Sequence, residues 1–434
     1  MNVLVIGSGG REHALVWKVK QSPLAGRVYC APGNPGIESL AQCVPIPSSD
    51  LSGLLRFAED QAIDLTIVGP EQPLAEGIVD LFEDHGLKAF GPTKKAAELE
   101  WSKAFAKGFM MRNGIPTARY QTFALGERDK AIAALETLSY PLVLKADGLA
   151  AGKGVIICND QVEAFAALHE LMDERAFGSS SETVVIEEFM TGEEASVFAI
   201  CDGADYVTLA PAQDHKRMFD NDQGKNTGGM GAYAPAPVIT PELMETIGTG
   251  IIEPTLRGMA AEGRPYKGCL YVGLMMTGEG PKVVEYNSRF GDPETQVVLP
   301  LYRGDIVELM LASCEGTIAS INPPAKNVAN GSAVCVVLAS AGYPDKYPMG
   351  KEIHGLHDLP DGVVAFHAGT KTNGKIIVTA GGRVLGVTAI STNANIEETI
   401  KMAYDGVGKI SFEGMHFRRD IGRKALMQKA SGVI

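Results

Sequence analysis

The sequence lacks the patterns that would mark a disulfide-rich, zinc-binding or membrane-spanning protein. Its 7 cysteines stand at positions 30, 43, 158, 201, 269, 314 and 335, and no two have a C-x-x-C spacing. Scattered cysteines of this kind predict buried, reduced thiols. The 8 histidines include no H-E-x-x-H pattern, so a histidine-bound metal is not expected. No apolar run is long enough to cross a membrane.

The chain also lacks an excess of positive charge. Lys and Arg number 39 against 52 Asp and Glu, which gives a formal net charge of -13. This balance disfavours nucleic acids and anionic membranes as partners. A small anionic substrate stays possible, because locally clustered basic side chains can hold positive potential in a cleft. Residues 1–7 are apolar without a basic flank or a cleavage pattern, which predicts a first β-strand and a cytoplasmic location.

The length of 434 residues predicts about two to four domains. Strand and helix patterns alternate at the start: Asn2–Ile6, Arg11–Gln21, Arg27–Ala31, Leu51–Asp60, Leu65–Val68, Gly77–His85 and Lys88–Phe90. Alternation of this kind predicts a parallel sheet covered on both faces. The polar turns at 7–10, 32–34 and 69–71 follow three of the strands, so we expect them to line one edge of the sheet.

The rest of the chain mixes α+β and β-rich patterns. A helix is predicted over Glu98–Arg112, followed by strands Gln121–Phe123, Leu142–Lys145, Val155–Cys158 and Val184–Glu187 with helices Asp129–Leu138 and Gln161–Leu171 between them. A linker is predicted at Asn322–Pro324, and short β-branched runs fill the segment from Ser332 to a final helix. We therefore predict an α/β and α+β multidomain protein with domains 1–101, 102–324 (including a small lid at about 121–190) and 325–434.

The first glycine turn, G-S-G-G-R-E at 7–12, begins like a dinucleotide fingerprint. Glu12 occupies the place of its last glycine, and no acidic residue ends the second strand, so NAD binding is disfavoured. Two interpretations stay open. The turn either packs strand against helix, or Gly9 and Gly10 present free N–H groups to a phosphate that Arg11 reinforces.

A second glycine-rich segment, P-L-V-L-K-A-D-G-L-A-A-G-K-G-V-I-I at 141–157, joins two predicted strands. Its glycines, Gly148, Gly152 and Gly154, would let backbone N–H groups close over phosphate oxygens, and Lys145 and Lys153 would add positive charge. Asp147 and Gly154 stand where a Walker A loop needs Gly and Ser or Thr. A hairpin lid over a nucleotide therefore fits better than a Walker A loop or an ordinary turn with solvated lysines.

A third segment, V-V-I-E-E-F-M-T-G-E-E at 184–194, is an apolar strand that ends in carboxylates. The strand end at Glu187 and Glu188 can offer backbone groups to an adenine edge, with Met190 over the ring. Glu194 can accept from both ribose hydroxyls, since an ionised carboxylate is only an acceptor. An acidic strand end without a ligand is the alternative.

The segment V-V-E-Y-N-S-R-F-G-D-P-E-T at 283–295 suggests a metal and phosphate site. On a strand Glu285, Asn287 and Arg289 would share one face. Mg²⁺ takes oxygen ligands, few of them from protein, and Arg289 would brace a transferring phosphoryl group. A solvated polar face is the alternative.

A basic cluster, Q-D-H-K-R at 213–217, precedes a glycine loop, N-T-G-G-M-G at 226–231. The loop either lies on the surface or holds an anionic or zwitterionic substrate. In the second case Asp214, Lys216, Asn226 and Gly229 are the candidate contacts. His215 is interpreted as a structural or phosphate contact, not as a catalytic base.

Taken in order, these segments resemble the ATP-grasp superfamily over essentially the whole chain. Lys103, in S-K-A-F, and Lys145 are similar to that group's two nucleotide lysines, and Glu187 to Glu194 matches its adenine-to-ribose spacing. The motifs at 7–14, 68–71, 145–155, 213–217, 226–233, 289–296 and 341–344 narrow the resemblance to the glycinamide ribonucleotide synthetase family. That family implies a Rossmann-like N-terminal domain, a two-part ATP-grasp region and a β-rich C-terminal domain.

The resemblance also implies a reaction: 5-phosphoribosylamine, glycine and ATP give glycinamide ribonucleotide, ADP and phosphate through glycyl phosphate. Lys145, Lys153, Arg289 and Mg²⁺ (or Mn²⁺) on Glu285 and Asn287 would neutralise the phosphates. The turns with Gly9, Gly10, Arg11, Glu12, Asn34 and Glu71 would hold the ribose phosphate, and Asp214 and Asp292 the ammonium of glycine. One departure is that residues 269–276, before the metal strand, carry no carboxylate, which puts a second tightly held Mg²⁺ in doubt.

Three other functions remain open at this point. One is another purine-pathway ATP-grasp ligase that uses formate or bicarbonate. The second is a dinucleotide-dependent oxidoreductase, which the first turn disfavours. The third is a non-catalytic nucleotide sensor, which the retained lysines, metal residues and Arg289 disfavour. A monomer is expected.

Overall fold

The structure is a computed structural model that describes residues 1–148, 154–174, 182–321 and 330–430. The predicted linker at Asn322–Pro324 and part of the predicted lid, including Gly152 and Lys153, lie outside the described residues. Within the described ranges, no helix combines the length and the apolar character that crossing a bilayer requires.

The N-terminal region is built on a parallel sheet, as predicted, with five strands where four were predicted; Gln42–Cys43 is the additional strand. Its elements are β1 (Asn2–Gly7), α1 (Gly10–Val19), β2 (Arg27–Pro32), β3 (Gln42–Cys43), α2 (Leu51–Asp60), β4 (Leu65–Val68), α3 (Glu71–Glu76), α4 (Ile78–Asp84) and β5 (Ala89–Phe90). The strand order is β3-β2-β1-β4-β5, and every neighbouring pair is parallel. Side chains of β1 are buried on both faces, because helices cover both sides of the sheet. The turns after β1, β2 and β4 therefore meet at one edge.

Two helices stand where a single one was predicted over Glu98–Arg112. They are α5 (Glu98–Trp101) and α6 (Lys103–Arg112). Ser102 separates them with an extended backbone, and its Oγ accepts from Phe105 N at 3.0 Å. The serine hydroxyl thus satisfies a free N–H at the start of α6, and the helical periodicity of the sequence did not reveal this break.

A small α+β unit follows. It contains β6 (Tyr120–Ala124), α7 (Arg128–Thr137), β7 (Leu142–Ala146), β8 (Val155–Cys158), α8 (Gln161–Leu168) and β9 (Thr183–Glu188). The sheet order is β6-β9-β7-β8, with all pairs antiparallel. Both helices pack on one face of the sheet through a cluster that includes Leu135, Leu144, Leu168 and Ile186. The opposite face carries Lys145 and Glu187.

The second half of the central region contains a larger antiparallel sheet. Its elements are β10 (Glu193–Asp202), β11 (Tyr206–Thr208), β12 (Gln213–Asp214), β13 (Arg217–Phe219), β14 (Gln223–Asn226), β15 (Gly231–Ala234), α9 (Pro241–Ile247), α10 (Glu253–Ala261), β16 (Lys267–Thr277), β17 (Gly280–Asn287), α11 (Thr295–Leu301) and α12 (Ile306–Glu315). The order β11-β10-β16-β17 makes the main sheet. Phe109 of α6 and Leu256 of α10 share one apolar cluster with Val272 and Tyr286 of this sheet.

The C-terminal region is β-rich, as expected. It comprises β18 (Ser332–Ala339), β19 (Val363–His367), β20 (Thr370–Asn373), β21 (Ile376–Thr379), β22 (Arg383–Ser391), α13 (Ile396–Val407) and α14 (Arg423–Ala430). Its main sheet has the order β12-β15-β18-β22-β19, so two strands from the central region complete it. The pairing of β15 with β18 brings the glycine loop before β15 next to the C-terminal region. The predicted domain limits stay a prediction.

Candidate active site

The turn after β1 is closed by its own acidic residue. Glu12 accepts from Gly9 N at 2.6 Å and from Arg11 Nε at 2.6 Å, and its side chain is almost fully buried. A Cβ on Gly9 would lie 2.9 Å from Glu12 Oε2, and Gly7 has a φ of +125°. Glycine is therefore required for the chain to close around the carboxylate. Glu12 therefore braces the turn, and its predicted contact with a substrate stays a prediction.

Arg11 and Arg289 lie on either side of Glu71, the first residue of α3. Arg289 Nε is 3.4 Å and Arg11 Nη1 is 4.0 Å from Glu71 Oε2. Burial opposes ionisation of Glu71, but Arg289 and Arg11 outweigh it and lower the pKa of this carboxyl. Glu71 is thus held ionised between two guanidinium groups at the edge of the N-terminal sheet, and each of these groups also pairs with a further carboxylate, Arg11 with Glu12 and Arg289 with Glu100.

Asn34 lies at the same edge, but its side chain is committed to protein contacts. Its Nδ2 donates to Ser8 O at 2.8 Å and to His367 O at 2.9 Å, and its Oδ1 accepts from Gly36 N and Ile37 N. These four bonds use the amide fully. Asn34 therefore ties the turn after β1 to β19 of the C-terminal region, and its predicted contact with the ribose phosphate would require rearrangement.

Asp292 connects this edge to the C-terminal region. Its Oδ1 accepts from Gln296 Nε2 at 2.7 Å, and its Oδ2 is 3.3 Å from Arg383 Nη2. A Cβ on Gly9 would lie 3.6 Å from Asp292 Oδ2, so the two predicted substrate contacts are neighbours. Burial opposes ionisation, but Arg383 and Arg11 lower the pKa of Asp292, which keeps an anion ready for an ammonium group.

The glycine loop before β15 packs against Asp292 and its neighbours. Arg383 Nη1 donates to Asp292 O at 2.7 Å and to Gly228 O at 2.5 Å. Gly229 has a φ of +111°, and a Cβ there would lie 2.5 Å from Pro293 Cδ. Gly229 thus lies at the site as predicted, whereas Asn226 is exposed on β14.

Two of the predicted nucleotide lysines, Lys103 and Lys145, lie near β17. Lys145 Nζ is 3.0 Å from Glu187 Oε2 and donates to Val284 O at 3.4 Å, while Lys103 Nζ donates to Gly148 O at 2.8 Å. Burial lowers the pKa of Lys103, and the nearby Glu285 counters this effect. The lysines therefore face the strand that carries the predicted metal ligands.

The other residues predicted to bind the nucleotide include Glu187 and Glu188, whose side chains lie on opposite faces of the sheet that contains β9. Glu187 is buried beside Lys145, but Glu188 points away and pairs with the exposed Arg119 at 2.6 Å, as strand alternation requires. Met190 is half-buried, and Gly148 and Gly154 border the segment outside the described residues. The backbone N–H of Glu188 also donates to Arg119 O, at 3.0 Å, and the predicted contact of Glu188 with a nucleotide stays a prediction.

Glu194 and Asp214 share a lysine. Lys216 Nζ is 2.8 Å from Asp214 Oδ1 and 3.2 Å from Glu194 Oε2, so the predicted ribose and glycine contacts are linked through one ammonium group. His215, between them in sequence, is buried, and its ring nitrogens have no hydrogen-bond partner among the described residues. Burial lowers its pKa to about 3, so His215 is neutral at physiological pH.

Glu285 and Asn287 share one face at the end of β17. A β-bulge opposite residues 273 and 274 shifts the register, which leaves Tyr286 in the core and both oxygen-bearing side chains half-buried. Within the described part of the chain, Glu285 has no ion pair and no group of three or more His, Cys, Asp or Glu is suited to a metal. A free carboxylate with a neighbouring amide fits a cation that takes its other ligands from phosphate and water.

Arg289 lies beyond the end of β17, not on the strand as predicted. Its Nη2 is 3.0 Å from Glu100 Oε1 of α5, and Ser288 N donates to the other oxygen of Glu100 at 2.8 Å. Burial alone would lower the pKa of Arg289, but Glu100 and Glu71 raise it above its usual value. Arg289 is therefore always charged and its guanidinium is fixed before any ligand binds.

Four charged residues of this site were missed from the sequence: Glu100, Lys107, Glu294 and Arg383. Glu100 and Lys107 lie in the segment that was predicted only as a helix, and of its charged residues only Lys103 was singled out. Glu294 stands within the D-P-E motif and Arg383 in the C-terminal region, which was assigned no part in the site. Only Glu294 had a local signal, because it follows Asp292 in a segment that was already singled out.

Glu294 lies beneath the glycine loop. Its Oε1 accepts from Tyr271 OH at 3.1 Å, and Tyr271 also contacts Ser196 Oγ at 2.8 Å. Burial and the neighbouring Asp214 raise the pKa of Glu294 to about 7, against the opposing effect of Lys216. A carboxyl group in this state changes its charge within the physiological pH range.

Glu294→Gln is expected to gain stability relative to the wild type as the pH rises. A folded-state pKa above the unfolded value means that the native protein binds an extra proton between about pH 5 and pH 7, so the wild type loses stability across that window. Glutamine has no such loss. Denaturant titrations at pH 5, 6, 7 and 8 measure the difference, and Glu308→Gln, in the first turn of α12, serves as a control. A difference that does not change with pH would contradict the raised pKa.

Comparison with known proteins agrees with this geometry. Three parts of the chain match the phosphoribosylglycinamide synthetase family: its N domain over residues 1–100, its ATP-grasp (A) domain over 101–295 and its C domain over 333–424. A phosphoribosylamine–glycine ligase of Chlorobaculum tepidum is 50% identical over 433 residues, which cover 98% of this chain and 100% of that protein. The chain belongs to the phosphoribosylglycinamide synthetase family. This is the family that the sequence motifs indicated.

Other relatives agree with the assignment to the phosphoribosylglycinamide synthetase family. The bifunctional purine biosynthetic protein PUR2,5 of Pichia angusta is 49% identical over 434 residues, which cover 99% of this chain and 54% of that protein. A crystal structure of a phosphoribosylamine–glycine ligase from Thermotoga maritima has a TM-score of 0.84 at 36% identity and covers 97% of this chain and 100% of its own.

A more distant structural likeness concerns the fold alone. The biotin carboxylase domain of a Hydrogenobacter thermophilus 2-oxoglutarate carboxylase has a TM-score of 0.74 at 18% identity, covering 96% of this chain and 91% of that one. The family matches and the Thermotoga maritima structure confirm the predicted arrangement of a Rossmann-like N-terminal domain, an ATP-grasp region and a β-rich C-terminal domain. The individual roles of the site residues stay predictions.

Proposed function

We propose that this chain is an ATP-dependent ligase that joins glycine to 5-phosphoribosylamine, giving glycinamide ribonucleotide, ADP and phosphate. The observation that carries the proposal is the placement of three groups of side chains around β17 and the first turn of the N-terminal sheet. Lys103 and Lys145 face the end of β17, Arg289 follows that strand, and Asp292 lies against the turn at Gly9. The family to which the chain belongs supports the same reaction.

The chemistry follows from the weakness of a carboxylate as an acyl donor. Its negative charge repels an amine, and it has no good leaving group. One oxygen of the glycine carboxylate attacks the γ-phosphorus of ATP, the bond to the β-γ bridging oxygen breaks, and glycyl phosphate and ADP form. The amine nitrogen of phosphoribosylamine then bonds to the carbonyl carbon, phosphate leaves, and the amine loses a proton.

The protein contributes position and positive charge, which dominate phosphoryl transfer. Lys145 and Lys103 neutralise the nucleotide phosphates, and the fixed guanidinium of Arg289 stabilises the charge on the transferred group. Asp292 and Asp214 hold the ammonium of glycine, and Arg11 with the Gly9–Gly10 turn holds the ribose phosphate. The segment from Gly148 to Gly154 excludes water from the acyl phosphate; its central residues lie outside the described ranges.

A divalent cation, Mg²⁺ or Mn²⁺, is proposed to bind Glu285 and Asn287. When bound, it supplies charge neutralisation on the phosphate oxygens. The half-buried Glu285 carboxylate, which has no ion pair with any residue that the structure describes, and the amide of Asn287 suit such a hard ion. Residues 269–276 of β16 offer no further carboxylate, so the protein itself contributes few ligands.

An ADP-release assay tests the reaction. The purified chain receives ATP, Mg²⁺, glycine and freshly generated phosphoribosylamine, and each component is omitted in turn. We expect ADP only in the complete mixture, with one ADP for each ligated product. ADP release with formate or bicarbonate in place of glycine would identify another carboxylate ligase, and nucleotide binding without ADP release would identify a sensor.

We also propose that the protein is a monomer and that it is cytoplasmic. Size-exclusion chromatography tests the oligomeric state, and cell fractionation tests the location.

A further inference from the structure

A third lysine lies behind the two predicted nucleotide lysines. Lys107, on the second turn of α6, is only 2% exposed. Its Nζ is 2.9 Å from Glu187 Oε2, the same oxygen that lies 3.0 Å from Lys145 Nζ. One buried carboxylate oxygen therefore serves two ammonium groups, of which one faces the proposed nucleotide site and the other faces the protein interior.

Lys107 is also anchored to the strand that carries the proposed metal ligands. Its Nζ donates to Thr117 Oγ1 at 2.8 Å, and Thr117 Oγ1 donates to Val283 O of β17 at 2.6 Å. The lysine thus joins α6, β9 and β17 through two hydrogen bonds and an ion pair. Because these contacts fix its ammonium group, Lys107 stays on Glu187 whatever Lys145 does.

The charges explain why a second lysine is needed. The role proposed for Lys145 at the phosphates of ATP implies that its ammonium group turns from Glu187 towards phosphate oxygens. A buried carboxylate that lost its sole cation would be strongly destabilised, and this loss would be subtracted from the binding of ATP. With Lys107 in place, Glu187 keeps one cation throughout the exchange. The other oxygen, Glu187 Oε1, is buried and has no hydrogen-bond partner among the described residues, so the carboxylate depends on the Oε2 contacts.

We propose that Lys107 is a positioning residue for the nucleotide, which compensates Glu187 while Lys145 turns from that carboxylate to the phosphates of ATP. The inference rests on the proposed ATP-dependent function. It assigns to Lys107 no contact with ATP, glycine or the ribose phosphate. Its effect is therefore expected in the affinity for ATP and not in the affinity for the other substrates.

The charged groups around Lys107 define how this role depends on pH. Burial lowers the pKa of Lys107 to about 8, with Lys145 acting in the same direction and Glu187 and Glu188 opposing it. From α5 and β17, Glu100 and Glu285 act on Lys103. A lysine is charged below its pKa, so Lys107 compensates Glu187 at neutral pH and ceases to do so as the pH rises through about 8.

The test is the Michaelis constant for ATP in Lys107→Met and Lys107→Arg, measured between pH 6.5 and 9.5. Lys107→Met is expected to raise the KM for ATP roughly 10-fold or more at pH 7, with the KM for glycine unchanged and most of kcat recovered at saturating ATP. The wild-type KM for ATP is expected to rise above about pH 8. Lys107→Arg, which stays charged, is expected to keep a near-normal KM and to lack that rise.

Burial also lowers the pKa of Lys103, so a pH dependence of the wild type alone does not identify the lysine responsible. Lys107→Arg separates Lys107 from Lys103, because it removes only the titration of Lys107. If Lys107→Arg shows the wild-type pH profile, or Lys107→Met keeps the wild-type KM for ATP, the inference is overturned. Arg112→Met is the matched control, because Arg112 lies on the same helix but is exposed and pairs with Glu262. Thermal unfolding of each variant identifies loss of folding. If Lys107→Met does not fold, the comparison of Lys107→Arg with the wild type decides.

A binding measurement separates this inference from the proposed function. Titration with a non-hydrolysable ATP analogue and Mg²⁺ reports nucleotide affinity without ligation. If the wild type releases no glycine-dependent ADP but Lys107→Met still loses analogue affinity, the ligase proposal fails and the positioning role stands. If the wild type is active but the wild type and Lys107→Met bind the analogue with equal affinity, the ligase proposal stands and the positioning role of Lys107 is overturned.

Discussion

Replacing Arg289 with alanine is expected to lower the rate of glycine-dependent ADP release by about 10²–10³-fold, or ~2.7–4 kcal/mol, the usual effect of deleting one pre-organised donor. The guanidinium is fixed by Glu100 at 3.0 Å and Glu71 at 3.4 Å, so it costs no reorganisation when charge develops on the transferred phosphoryl group. The measurement is kcat at saturating ATP and glycine.

Folding of this variant is expected to persist, because the carboxylates keep other partners. Glu100 still accepts from Ser288 N and Oγ at 2.8 and 2.7 Å, and Glu71 still has Arg11. Arg289→Lys is the matched control: it keeps the charge but loses the planar fork, and we expect an intermediate rate. Near-normal turnover of Arg289→Ala, with an unchanged melting temperature, would remove Arg289 from the catalytic residues.

Replacing Glu285 with glutamine is expected to raise the Mg²⁺ concentration for half-maximal activity at least ~10-fold, which is the lower end of the effect known for partners of metal ligands. The change keeps the shape of the side chain and removes one charged ligand from a site that offers few. The measurement is ADP release against free Mg²⁺ at fixed ATP, repeated with Mn²⁺.

Glu279→Gln provides the control for this experiment. Glu279 lies in the turn between β16 and β17, is exposed, and pairs with Lys282 at 2.7 Å, so its loss removes the same charge from the same hairpin. We expect its Mg²⁺ dependence to match that of the wild type. An unchanged Mg²⁺ requirement in Glu285→Gln would place the metal on other ligands.

The sequence by itself determined the order of the elements and the local chemistry. The parallel sheet followed from apolar runs that alternate with helical periods, and the bounds of α2, β4 and β8 agree with the prediction to the residue. Lys145, Glu285 and Asp292 were predicted as site residues because each stands in a short segment whose residue types suit one chemical purpose. Such segments are local, so no tertiary information was needed to recognise them.

Only the tertiary structure decided which charges meet. Lys107 contacts Glu187 across 80 positions of sequence, a separation that follows from the residue numbers, and Arg383 reaches Asp292 from another sheet. No periodicity encodes such pairs, because they depend on how whole sheets pack. The same limit explains Glu12 and Asn34. Both were predicted to contact a substrate, and only the folded chain shows what else holds them: backbone groups bind Asn34, and Gly9 N and the Arg11 guanidinium bind Glu12.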